Sequence, residues 1–258
     1  MYKIAIAGAG AMGGRIGTYL KQNGEDVVLI DRWQDHIDEI NKNGMEIQTE
    51  TETYTLEIRA MQPEEVKEKF DLIILLTKAM YADDMLKALK DIGAITESTA
   101  ILSMMNGLGH ADYLSKYVPK SQIFLAVTMW TAGLRGPGQL LLEGKGGIEC
   151  QRSDGQPDER TEKIVQVLDN AGLNAKISDD VFFSIWSKAA VNSVLNPLCT
   201  ILDKTIGEFG EYEDAREMIT PILKELVAVA NARGTNVVFE TLLAKIEATY
   251  PNEAQGLH

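Results

Sequence analysis

Cysteine is nearly missing from this chain of 258 residues: only Cys150 and Cys199 occur, far apart and in no CxxC pair. That excludes a disulfide framework and a cysteine-rich zinc site. Histidine is almost as scarce. His36, His110 and His258 stand alone without metal-ligand spacing and read as surface or capping residues. Basic residues are in deficit, with 25 Lys+Arg against 38 Asp+Glu and a formal charge of −13. With no basic stripe to displace counterions from phosphates, nucleic acid is not an expected partner. An anionic membrane surface is disfavoured on the same ground. No apolar run reaches the roughly 18–20 residues needed to span a bilayer. The opening MYKIAIAGAGAMGG has no charged segment leading into a long apolar stretch, so it does not read as a secretory signal. A reducing cytoplasm is the default location. No GxSxG elbow or Ser–His–Asp set is visible, which leaves hydrolase chemistry without support.

What the chain does contain is alternation. Residues 3–7 (KIAIA) read as a short buried strand, followed by Gly8-Ala9-Gly10-Ala11-Met12-Gly13, a helical stretch to about Gln22, and a second strand from Asp26 to Ile30. Strand, Gly-rich turn, helix and strand within about 30 residues make a βαβ unit. The pattern continues with a helix over 35–42, strands over 46–60, and a buried strand at 71–76 (DLIILL). A helix at 81–90, strands at 100–104 and 123–127, a Gly-rich β region at 131–150, a helix at 159–170 and a strand at 174–177 follow. After Ser178 the strand signals stop and apolar positions at helical spacing run to Tyr250. The expected fold is α/β: a doubly wound, Rossmann-type domain over residues 1–178, then an all-helical domain over 179–258.

The Gly8-x-Gly10-x-x-Gly13 turn gains its meaning from this context. The first glycine permits the tight turn, the second lets a pyrophosphate approach the backbone, and the third lets the helix pack close to the strand. The helix N-terminus then faces the phosphates. Dinucleotide binding is the expectation. Asp31 lies 18 residues after Gly13, close to the spacing of about 20 expected of an acidic residue on the ribose 2′-hydroxyl. Arg32 follows at once and is suited to a 2′-phosphate, so the choice between NAD and NADP stays open at this point.

A second polar pattern lies in the helical part, at Ile185-Trp186-Ser187-Lys188-Ala189-Ala190-Val191-Asn192-Ser193-Val194-Leu195-Asn196-Pro197. Lys188, Asn192 and Asn196 are spaced i, i+4, i+8, spanning about 80° of the helix and about 12 Å of its axis. The rest of the circumference is mostly apolar, as in a buried helix. A buried lysine and two amides need partners or a cleft, because an unpaired polar group costs a few kcal/mol. The stripe therefore reads as a substrate site, with Lys188 as a cation near a reacting oxygen. Pro197 is expected to kink or end the helix. Two further polar segments follow strands, where an open α/β sheet places ligands: Thr77-Lys78 after DLIILL, and Met105-Asn106-Gly107-Leu108-Gly109 after ILSM.

Four motifs together (GxGAMG at the start, TK after the fourth strand, NGLG after the fifth, and WSKAAVNSVLNPLCTI) are similar to those of the ketopantoate reductase (2-dehydropantoate 2-reductase) family. The last fits its W-x-K-x-x-x-N-x-x-x-N-P pattern, and the similarity extends over the whole chain. The resemblance implies a cytoplasmic oxidoreductase that reduces a small 2-oxo acid, ketopantoate, to pantoate with NADPH. It implies Lys188 as the catalytic lysine, Asn192 and Asn196 as substrate ligands, and Asn106 as touching both cofactor and substrate. Gly8, Gly10, Ala11, Met12, Gly13, Asp31, Arg32 and Lys78 fall on the cofactor side. Arg32 favours NADP(H), whereas Asp31 beside it keeps NAD(H) in play. A homodimer through the helical domain is one expected assembly, and no metal is implied. The family pattern continues into a Ser-Met-x-x-Asp … Thr-Glu-Ile-Asp-Tyr segment that supplies a substrate-binding Ser and a catalytic Glu. Here the sequence reaches Gly256-Leu257-His258 without it, and neither Glu247 nor Glu253 fits the motif. The functional protein is accordingly expected to be longer, by roughly 50 residues on the usual size of such a domain. Two other readings remain: a related dehydrogenase of another 2-oxo or 2-hydroxy acid, and a non-catalytic dinucleotide sensor.

Overall fold

A computed structural model describes residues 1–250 of the chain. Glu253, Gly256, Leu257 and His258 lie outside the described residues. The chain forms β1 (Lys3–Ala7), α1 (Ala11–Gln22), β2 (Asp26–Ile30), α2 (Gln34–Asn43), β3 (Met45–Gln48), β4 (Thr53–Leu56) and β5 (Arg59–Met61). A 3-10 turn at Pro63–Glu65 leads to β6 (Leu72–Leu75), α3 (Ala79–Asp91), β7 (Ala100–Ser103), α4 (His110–Leu114) and β8 (Ile123–Thr128). Then come β9 (Gly133–Gly136), β10 (Gln139–Leu141), β11 (Ile148–Arg152), α5 (Glu159–Asn170) and β12 (Ala175–Ile177). Four helices follow: α6 (Val181–Leu202), α7 (Ile206–Gly210), α8 (Ala215–Ala232) and α9 (Phe239–Glu247). The chain divides into two compact units, Met1–Val181 and Phe182 onward.

The first unit is built on an eight-stranded sheet in the order β12-β11-β8-β7-β6-β1-β2-β5. Its centre reads as continuous apolar runs because helices and loops cover both faces; every residue of β6 is fully buried. The sheet is not wholly parallel, since β11 runs antiparallel to β8. The Gly-rich region forms short strands, as expected, but they divide between two sheets. β9 and β10 join β3 and β4 in a separate four-stranded sheet of order β4-β3-β10-β9, whereas β11 returns to the main sheet. The strands expected over 46–60 divide likewise, with β5 pairing to β2 at the edge of the main sheet. Alternating sequence alone does not say which sheet a short strand will join.

Register decides where ligand loops can lie. Ala7 is paired with Ile30 and with Leu75, and Leu75 with Ser103. The carboxyl ends of β2, β1, β6 and β7 are therefore level, and the segments that follow them emerge along one edge. Close packing there demands glycine. A Cβ at Gly13 would sit 1.8 Å from the Gly8 carbonyl oxygen, and one at Gly8, where φ is +105°, would be 2.6 Å from Thr77 N. Gly13→Ala should thus destabilise the fold by about 3 kcal/mol or more through forced displacement of backbone, seen as a lower denaturation midpoint.

The second unit has its own core, in which Trp186, Ala190, Val194, Phe209, Ile219 and Leu223 are buried. Pro197 does not end α6; the helix continues to Leu202. The carbonyl that loses its donor to proline belongs to Ser193, which is exposed along with Asn196 and Pro197, so water can serve it. Thr200 Oγ1 donates to the Asn196 carbonyl at 2.7 Å one turn further on. Among the described residues no helix is long and apolar enough to cross a membrane.

Candidate active site

The Gly-rich loop is fixed by its neighbours before any ligand is considered. Gly8 N–H donates to the Ile30 carbonyl at 2.8 Å. Ala9 N–H donates to Asp31 Oδ2 at 2.6 Å, while Asp31 Oδ1 accepts from the N–H groups of Arg32 (2.7 Å) and Trp33 (3.0 Å). Asp31 is thus a clamp joining the end of β2 to the loop. Gly10 caps α1 without a side chain, and the first turn of α1 carries no acidic residue. A Cβ at Gly10 would meet nothing within 4 Å. An uncapped helix start, free of negative charge and with open space above it, fits a pyrophosphate. Gly8 and Gly13 are required by the fold, whereas nothing in the fold crowds Gly10.

His36 departs most from expectation. It is fully buried rather than on the surface. Gly138 N–H donates to His36 Nδ1 at 2.9 Å, which requires the neutral ring with its proton on Nε2. Nε2 therefore donates to the Ala9 carbonyl, 3.0 Å away. The ring stacks on Trp33, with centroids 5.0 Å apart. The signal was present in the spacing: His36 stands four residues before Ile40, on the buried face of α2. Burial pushes the His36 pKa below the ordinary histidine value of 6.5. Because the unfolded chain then binds the proton more readily, this contribution to stability is complete above pH 6.5 and is lost as pH falls toward the lower folded pKa. His36→Ala leaves the Ala9 carbonyl and Gly138 N–H without their partner, at a cost of about 2–4 kcal/mol. Thermal denaturation should show the loss, with a smaller deficit between variant and parent at acid pH.

Asn106, Gly107 and Leu108 are exposed on the loop after β7, and Lys78 is exposed at the start of α3. Between that helix start and the loop lies a cavity of about 210 Å³, lined among others by Ala79, Met105, Asn106, His110 and Tyr113. His110 is half-buried rather than on the surface, its Nδ1 3.2 Å from Ser103 Oγ, and burial lowers its pKa. Gly8–Gly13, Asp31, Arg32, Lys78 and Asn106 thus belong to segments leaving the level strand ends of the first unit.

Lys188, Asn192 and Asn196 lie in the second unit, on the continuous helix α6. The helix is apolar around most of its circumference, as expected, but only part of it is buried. Trp186, Ala190 and Val194 are buried in the unit's core. The polar stripe is centred away from these three, although Leu195, fully buried in the same core, lies about 20° from Lys188. Lys188 and Asn192 are half-buried there and Asn196 is exposed. Burial pushes the Lys188 ammonium below the ordinary lysine range. Ser187 beside it turns away from the stripe, donating to the Phe183 carbonyl at 2.7 Å.

Comparison with known proteins gives this arrangement its context. Residues 4–155 match the family model described as ketopantoate reductase PanE/ApbA, and residues 180–255 match its C-terminal counterpart. A 2-dehydropantoate 2-reductase of Lactococcus lactis subsp. lactis is 41% identical over 258 residues, covering 99% of this chain and 82% of that protein. A D-mandelate dehydrogenase solved with NADH and anilino(oxo)acetate superposes with a TM-score of 0.89 at 39% identity, over 99% of this chain and 82% of that one. The 2-dehydropantoate 2-reductase of Geobacter metallireducens GS-15 does so with a TM-score of 0.87 at 25% identity, over 99% and 84%. Matches in both units, at this identity and over this length, leave one assignment: the chain belongs to the ketopantoate reductase family.

Proposed function

We propose that this protein carries out its family's reaction, the reduction of the ketone of 2-dehydropantoate to the hydroxyl of pantoate by NAD(P)H. The pyrophosphate is assigned to Gly8, Gly10, Ala11, Met12 and Gly13, and the adenosine ribose to Asp31 and Arg32. Lys78 and Asn106 serve the cofactor, with Asn106 also touching the substrate. Bound NAD(P)H supplies a hydride to the carbonyl carbon. The chain's own part is to handle the oxygen: the Lys188 ammonium donates a hydrogen bond to it, stabilises its developing negative charge and gives it a proton. Asn192 and Asn196, one and two turns further along the same face, hold the polar groups of the acid. NADP(H) is the assigned cofactor because Arg32 is suited to a 2′-phosphate, with NAD(H) as the alternative through Asp31. A homodimer through the helical unit is the proposed assembly, readable by light scattering.

The observation that carries this reading is the polar stripe along an otherwise apolar α6, with a half-buried lysine whose pKa burial lowers. A lowered lysine pKa eases proton transfer near neutral pH. The test is loss of reduced-nicotinamide absorbance with 2-dehydropantoate across a panel of 2-oxo acids. A second reading, a dehydrogenase of another 2-oxo or 2-hydroxy acid, is favoured by the likeness to D-mandelate dehydrogenase. Faster turnover of an aryl 2-oxo acid than of 2-dehydropantoate would select it.

A further inference from the structure

Arg32 is held by a second carboxylate that the motifs do not include. Glu64 stands on the 3-10 turn directly after β5, and its Oε1 is 2.9 Å from Arg32 Nη2. The two groups meet because β5 pairs with β2. Ile30 lies opposite Met61, and Asp31 N–H donates to the Met61 carbonyl at 3.2 Å. The turn itself is fixed. Gln62 N–H donates to Glu65 Oε2 at 2.9 Å, the Gln62 amide donates to the Gln34 side chain, and Pro63 is buried. Backbone pairing thus presents Glu64 beside the end of β2.

The strand end therefore carries two carboxylates and one guanidinium. Asp31 is already committed to three backbone N–H groups, so Arg32 is the group there that can answer a phosphate. A phosphate monoester carries about −1.5 to −2 charges at neutral pH. To bind Arg32 it must share the guanidinium with Glu64 or displace that carboxylate, and in either case it lies beside a like charge. A free 2′-hydroxyl meets no such obstacle. We propose that Glu64 is a coenzyme-selectivity residue, which positions Arg32 and tempers, without reversing, the preference that Arg32 gives for dinucleotides phosphorylated at the 2′-oxygen. This rests on the placement of the adenosine ribose at Asp31 and Arg32.

Fluorescence titration of NADPH and NADH against the parent, Glu64→Gln and Glu64→Asp tests it without requiring turnover. Removing one exposed negative charge beside a phosphate should raise the affinity for NADPH relative to NADH by roughly fivefold at low ionic strength. Glu64→Asp should keep most of the parent ratio, and the gain in Glu64→Gln should shrink in high salt. A ratio unchanged by Glu64→Gln, or a gain indifferent to salt, overturns the role of Glu64. Turnover of 2-oxo acids measured alongside separates this from failure of the proposed function: a chain that binds both dinucleotides but reduces no 2-oxo acid refutes the reaction and leaves the selectivity result standing. Binding of neither dinucleotide refutes both.

Discussion

Lys188→Ala should lower kcat by about 10²–10⁴-fold, the range of a general acid, while leaving dinucleotide affinity nearly unchanged. The separation follows from the two units: the dinucleotide is assigned to loops of the first, and Lys188 stands on α6 of the second. Hydride arriving at a carbonyl carbon leaves charge on the oxygen, and water does not replace a positioned ammonium there. Single-turnover kinetics should place the loss in the chemical step. Lys188→Arg keeps the charge but not the readily lost proton, so it should recover substrate binding better than rate. In the parent, activity should fall as pH rises through the Lys188 pKa, because the acid is then spent. Burial places that loss below the ordinary lysine value of 10.5. A fall of less than about threefold in Lys188→Ala lies far outside the general-acid range and would assign the proton to another group.

Gly10→Val should abolish dinucleotide binding in a protein that still folds. Gly10 has φ −59° and ψ −167°, outside the positive-φ region that demands glycine. Its Cβ position is empty, whereas that of Gly13 is 1.8 Å from a carbonyl oxygen. The same kind of substitution thus has opposite meanings three residues apart. At Gly13 it damages the fold; at Gly10 it fills the open space to which the pyrophosphate is assigned. The stability cost at this helix cap should be about 1 kcal/mol or less. Calorimetric titration with NADPH or NADH, paired with a denaturation curve, checks both halves. Retained affinity would refute the placement.

Much of this was legible because the governing patterns are local. The βαβ unit around Gly8–Gly13 needs only hydrophobic runs and glycine spacing, and the stripe Lys188–Asn192–Asn196 needs only helical periodicity. What escaped depends on partners distant in sequence. His36 is buried because Gly138, 102 positions later, supplies a donor to its ring. Arg15 is buried because its Nη1 donates to the Glu143 carbonyl at 2.9 Å and its guanidinium lies 4.1 Å over Trp130. Glu64 gains significance only through the pairing of β5 with β2. Pro197 misled for the converse reason: its local rule is sound, but an exposed carbonyl tolerates the missing donor.

The clamp on the Gly-rich loop also bears on when the site comes into being. The bonds from Ala9 to Asp31 and to His36 span 22 and 27 positions, and that from His36 to Gly138 spans 102. The βαβ segment can form early, since its contacts are close in sequence and carry little loop-closure entropy. The ring of His36 acquires its second bond only when the turn between β9 and β10 has arrived. On the ribosome, the amino-terminal loop must therefore wait until synthesis has passed Gly138 before its full set of restraints exists. On the proposed placement, the loop assigned to the dinucleotide is thus made first but fully restrained late.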